Sequence, residues 1–137
     1  MDTSNPGPLV MLGGGVLMVV GPILNWFRGT RGVDVDVFGL LGIFIVLSGL
    51  FVLGIGAIRA FGVETGLPDE IMGFRIEQFG AIDAFASFLW SFALVFESGT
   101  RLGLHVSWLG AAAATTGALL ALRPPAQTAP PPPGGTW

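Results

Sequence analysis

The stretch VFGLLGIFIVLSGLFVLGIGAI, residues 37–58, holds no charged side chain, and Ser48 is its one hydroxyl. At 1.5 Å of helical rise per residue it is long enough to cross the ~30 Å hydrocarbon core of a bilayer. Its apolar residues occupy every helix face rather than one stripe, so in water it would have to be enclosed on all sides. A chain of 137 residues cannot enclose it, because 52% of the whole is hydrophobic and only 11% is charged. Soluble domains carry about 25% charged residues. The mean hydropathy of +0.76 points the same way.

Three further runs flank this one. Residues 8–27 are uncharged, and Pro8 suits a first helical turn, where its missing N–H matters least. No basic segment precedes this run and no small-x-small site follows it, so it reads as a retained helix rather than a cleaved signal. Residues 79–96 form the third run and carry one acid, Asp83. Residues 102–122 form the fourth, stopped by Arg123-Pro124-Pro125, since proline cannot extend the hydrogen-bond ladder. The expected fold class is an all-α membrane protein with four transmembrane helices.

The glycines suggest how the spans are related. Gly14 and Gly21, with Gly7, recur every seven residues in the first; Gly42, Gly49 and Gly56 do so in the second; Gly103, Gly110 and Gly117 do so in the fourth. In the third, Gly80, Ala84, Ser87 and Ser91 supply small residues on one face. Small residues let helix backbones approach closely in lipid, and a seven-residue period keeps that contact only if helices wrap left-handedly. Gly29-Thr30-Arg31 and Gly99-Thr100-Arg101 each precede a glycine-spaced helix. The chain therefore reads as two tandem helical hairpins closed into a left-handed bundle. Leu67-Pro68-Asp69-Glu70 resembles a helix start, so an amphipathic interfacial segment is expected over 68–78, with Glu70 and Glu77 in water. Residues 124–137 form a proline-rich tail.

Composition excludes much chemistry. There is no cysteine, and His105 is the only histidine, so thiolate sites and multi-histidine sites within one chain are ruled out. No cofactor, metal or catalytic residue is assigned. A net charge of −3 without a basic cluster argues against nucleic acid. All six basic residues are arginine. That usage, with abundant Ala, Gly, Val and Pro, matches GC-rich bacterial coding and suggests a bacterial plasma membrane. Three arginines fall on each side, which leaves orientation balanced. Cytoplasmic termini are expected, since loop and tail then need no export, and dual topology stays open.

A few side chains are candidates for function. Asp83 is the one acid inside a span; the competing reading is an interfacial carboxylate about one turn deep. Asp34, Asp36 and His105 share one membrane side with Glu97 and could meet an ion, although hydrogen bonds or salt bridges to Arg31 or Arg101 are the simpler reading. Phe85, Phe88, Phe92 and Phe96 form a face for a quinone, a lipid tail or a partner helix, or simply meet acyl chains. Packing devices outnumber chemical groups. The expected function is therefore a non-enzymatic accessory, scaffold or assembly subunit, self-associating or joined to other membrane subunits in the bilayer. The alternative is a small oligomeric transporter or channel using Asp83 or the Asp34/Asp36/His105 cluster. A lipid-acting enzyme would have to use Asp83, Glu97 or His105.

Overall fold

The computed structural model describes residues 4–38, 40–124 and 133–134. Most of the tail expected over 124–137 therefore lies outside the described residues. The chain is mostly helical. It runs α1 (Gly7–Ile23), strands β1 (Asn25–Phe27) and β2 (Thr30–Arg31), a short α2 (Val35–Phe38), α3 (Leu41–Phe61), strands β3 (Glu70–Ile71) and β4 (Phe74–Arg75), α4 (Ile76–Ala93), a 3-10 turn (Leu94–Phe96) and α5 (Leu102–Ala121). Three helical segments are long and apolar enough to cross a membrane: Leu41–Phe61, Ile76–Phe96 and Leu102–Ala121. The first helix is apolar but spans 17 residues, about 26 Å.

Local chemistry sets the ends. The Asn5 carboxamide oxygen accepts from the Gly7 N–H at 2.9 Å and so satisfies one free amide of the first turn of α1. At the other end Pro22 removes a ladder donor and Leu24 turns to extended backbone. Residues 24–27, expected to finish the first span, instead leave the helix, and Asn25–Phe27 form β1. The second span likewise starts later than expected, at Leu41, and ends later, at Phe61. It closes at Gly62 in the left-handed conformation (φ 63°), with the Val63 N–H donating to the Ile58 carbonyl.

The interfacial helix expected over 68–78 is not what forms. Residues 70–75 make a β-hairpin whose two turn residues, Met72 and Gly73, both take positive φ (54° and 81°). This is the mirror-type turn that matches strand twist, and glycine tolerates it freely. The helix proper begins at Ile76, where the Gln78 side chain accepts from the Arg75 N–H at 2.7 Å.

The core is built on α1, which packs along both α3 and α5; α4 packs mainly on α5 and less closely on α3. Gly14 lies against Ala114 and Gly110 of α5, Gly7 against Ala121 and Gly117, and Gly21 against Ser107. The neighbouring face of α1 meets α3 in the same way, with Gly15 on Gly49 and Pro8 and Leu12 on Gly56. A Cβ built on these glycines falls within 3.0 Å of the opposing backbone. Gly42 is held instead by the Gly32 carbonyl of the first loop. Gly80 meets only the ends of the Ile55 and Met11 side chains, while Ala84, Ser87 and Ser91 continue its buried face. Met11, Met18, Ile45, Val52 and Leu104 fill the interior.

The loop after α1 is folded back as a plug. Trp26 stands at the end of the first uncharged run, where an interfacial aromatic belt is the sequence expectation, yet it is fully buried. Its indole N–H lies between the Gly21 carbonyl (3.2 Å) and the Ser107 hydroxyl (3.1 Å), and Phe38 packs on its ring at 5.1 Å. Its carbonyl accepts from the Arg101 N–H at 2.7 Å, which ties this loop to the second Gly-Thr-Arg loop. Trp26→Phe is expected to lower unfolding free energy by about 1–3 kcal/mol, because both acceptors lose a buried donor. Ser107→Ala should cost less, since the indole keeps the Gly21 carbonyl. Denaturant titration of the two variants checks the order.

Candidate functional site

The contact between α3 and α4 is partly open. A groove of about 720 Å³ runs there, lined by Phe44, Leu47 and Phe51 of α3 and by Phe79 and Ile82 of α4, with Ile71 of the hairpin among its walls. Asp83 and Ser48 are its polar lining. The Ser48 hydroxyl donates to Asp83 Oδ1 at 2.9 Å. Ser48 is buried while Asp83 is half-buried. Because α4 begins at Ile76 rather than at residue 79, Asp83 stands about 10 Å along the helix, two turns rather than one. A carboxylate at that depth among aromatic and aliphatic side chains is expensive unless something else shares it.

A second polar cluster occupies the end where α1 begins and α3 ends. Glu77, expected in water, is 1% exposed. Its Oε1 lies 2.8 Å from Arg59 Nε and 3.5 Å from an Arg75 guanidinium nitrogen. Arg59 also reaches Asp69 at 2.9 Å. Glu77 thus joins the last turn of α3 to the first turn of α4 across the intervening loop. A helical-period reading of 68–78 places Glu77 on the outer face, which is why it was missed. The available signal was different: a basic residue in the last turn of one span and an acid in the first turn of the next.

The opposite end brings the remaining candidates less close. Asp34 accepts from the Arg31 backbone N–H at 2.6 Å, and Asp36 and Glu97 are exposed. His105 Nδ1 accepts from the Trp108 indole at 3.2 Å. Among the described residues no group of three or more His, Asp or Glu side chains is placed to hold a metal ion. Phe85, Phe88, Phe92 and Phe96 form a continuous ladder with centroid spacings of 6.2, 5.3 and 5.4 Å. Trp108 of α5 packs against Phe88 and Phe92, so the middle of that ladder belongs to the α4–α5 contact while Phe85 and Phe96 remain exposed.

Searches of protein families, curated proteins and solved structures find no match to this chain.

Proposed function

We propose that this is a four-span integral membrane protein serving as an assembly or accessory subunit, whose α3–α4 groove receives a transmembrane helix of a different subunit. One observation carries the reading: Asp83, two turns into an apolar helix, meets the groove with a single hydrogen-bonding side chain, Ser48, among the described residues. A partner helix offering an amide, hydroxyl or basic donor at that depth would offset its desolvation. A second copy seated groove to groove would set two carboxylates together, which favours a different partner.

Four spans, rather than three, are supported by the position of α1. It is apolar throughout and sits between α3 and α5, so leaving it outside the bilayer would strip both of their closest contacts. Gly7, Gly14 and Gly21 meet Gly117, Gly110 and Gly103 in register over two heptads, the contact pattern of a left-handed pair and hence of a left-handed bundle. The two Gly-Thr-Arg loops take corresponding places, with Gly29 and Gly99 both at positive φ, which supports a duplicated hairpin. The residues flanking Gly7 and Ala121 share one side, which we assign to the cytoplasm of a bacterial cell.

The transport reading gains less support. The axis of one copy is filled by Met11, Met18, Ile45, Val52 and Leu104, so a conducting route would have to lie between copies. Extraction from native membranes in mild detergent, followed by mass determination, is expected to give a particle larger than one chain. Asp83→Leu should weaken that association by about tenfold, equivalent to about 1.4 kcal/mol. Leu119→Ala, on an exposed face of α5, should leave it unchanged. A lone monomer from gently solubilised membranes, or an Asp83→Leu complex as stable as the original, would defeat the proposal.

A further inference from the structure

The α3–α4 groove has a shape and a charge that select what can fill it. On α3 its wall is Phe44, Leu47, Ser48 and Phe51; on α4 it includes Ile76, Phe79, Asp83 and Ala86. Both sets follow the three-and-four spacing of one helix face, so the groove runs along the two helices. From Ile76 to Ala86 it is about 15 Å long, the rise of ten residues of a third helix. Phe44 meets Trp90 at 5.7 Å and marks its far end.

The charge of the groove is not balanced from within. Asp83 is its one charged lining residue, and it is half-buried, so it is open to whatever lies there. Among the described residues no arginine lines the groove and no ion pair reaches Asp83. Arg59 and Arg75, at the Ile76 end, are turned to Asp69 and Glu77 instead. Ser48 gives its only proton to Asp83 Oδ1 at 2.9 Å. With that proton placed, the polar side chains lining the groove offer acceptors and no donor. An ionised carboxylate has about four lone-pair sites, so one hydroxyl leaves most of them open.

This pattern discriminates between helices that could enter. An Asn or Gln side chain brings donors, but its own carbonyl oxygen would face acceptors only. A lysine or arginine side chain brings donors alone and cancels the charge as well. A second copy would bring another carboxylate to Asp83. We propose that the groove selects a partner helix bearing a basic residue at the depth of Asp83, so that the interface holds an intramembrane carboxylate–cation pair. This rests on the assembly reading above and narrows it from any donor to a cationic one.

The test uses the full chain in lipid vesicles, dye-labelled at Thr65→Cys, a unique site because the chain has no native cysteine. Its probes are synthetic Leu-Ala helices of about 21 residues, long enough to span. Each carries lysine, asparagine, aspartate or leucine a third of the way along, as α4 and its 3-10 turn carry Asp83. Energy transfer between chain and helix reports association. The lysine helix is expected to associate about tenfold or more tightly than the others. Asp83→Asn should erase that preference, and Asp83→Lys should transfer it to the aspartate helix. Ala86→Phe, which fills the groove one turn from Asp83, should also weaken the lysine helix. Should Asp83→Lys fail to fold, Asp83→Asn, nearly equal in size to the native residue, still decides the matter. Equal association of the lysine and asparagine helices would overturn the cation requirement while leaving the assembly reading in place. A lysine preference that survives Asp83→Asn would overturn it too, and association of none of the helices would remove the assembly reading with it.

Discussion

Gly14→Leu is expected to unfold most of the protein or reduce its stability by about 3 kcal/mol or more, and Gly110→Leu to do the same. The two glycines face each other at the centre of the α1–α5 contact, where a Cβ on Gly14 would strike Ala114 and one on Gly110 would approach Leu17 and Met18 to within 2.8 Å. The obstructing atoms are largely backbone, so no rotamer change relieves the clash. Even Gly14→Ala should cost about 1–3 kcal/mol. Gly13 supplies the control: a Cβ there meets nothing within 4 Å. Gly13→Ala should be neutral or stabilise by about 0.5–1 kcal/mol through helix propensity. Unfolding of the four variants in mixed micelles, followed by circular dichroism, gives the ranking. Equal effects at positions 13 and 14 would remove close backbone packing from the account.

The second large effect falls on Arg59. Arg59→Leu leaves Glu77 buried with only the long 3.5 Å contact to Arg75, and a buried pair broken from one side typically loses about 3–5 kcal/mol. Arg59 is about one-third exposed, so the lower end of that range is expected. Glu77→Leu should cost less, because Arg59 keeps Asp69 and its access to water. The double variant should recover much of the loss, since an apolar pair needs no compensation for lost hydration. A double-mutant cycle measures this directly, and strictly additive effects would show that the two side chains do not act as a pair.

Much of the helical content could be read directly. Uncharged runs of about twenty residues locate α3 and α5, and the proline-arginine stop ends α5 within a residue or two. The spacing of the glycines marks faces on α1, α3 and α5, but spacing alone does not say which helices meet. Only the three-dimensional arrangement puts Gly14 on Gly110 and Gly15 on Gly49, making α1 the shared neighbour.

The misreadings have physical causes too. Ile71, Phe74 and Ile82 recur at near-helical intervals, yet the Met72-Gly73 turn takes the chain through two positive φ values and makes a hairpin. Apolar periodicity cannot register that, because it counts side chains and ignores backbone conformation. Displacing the start of α4 to Ile76 then carries Asp83 a turn deeper and turns Glu77 inward, so one local error altered the reading of both acids. Trp26 was misplaced for a related reason. A tryptophan at a span end usually marks an interface, but here Pro22 ends the helix early and the chain folds back over it.

The central claim is that the polypeptide crosses the membrane four times, including α1, which at 17 residues is the shortest of the long helices. The absence of native cysteine makes single-cysteine accessibility the direct test. Ser4→Cys, Thr30→Cys, Thr65→Cys, Ser98→Cys and Arg123→Cys are each probed with a membrane-impermeant maleimide in sealed vesicles of known orientation. Positions 4, 65 and 123 should label from one side, and positions 30 and 98 from the other. Labelling of positions 4 and 30 from the same side would mean that α1 does not cross, and the four-span account would be wrong.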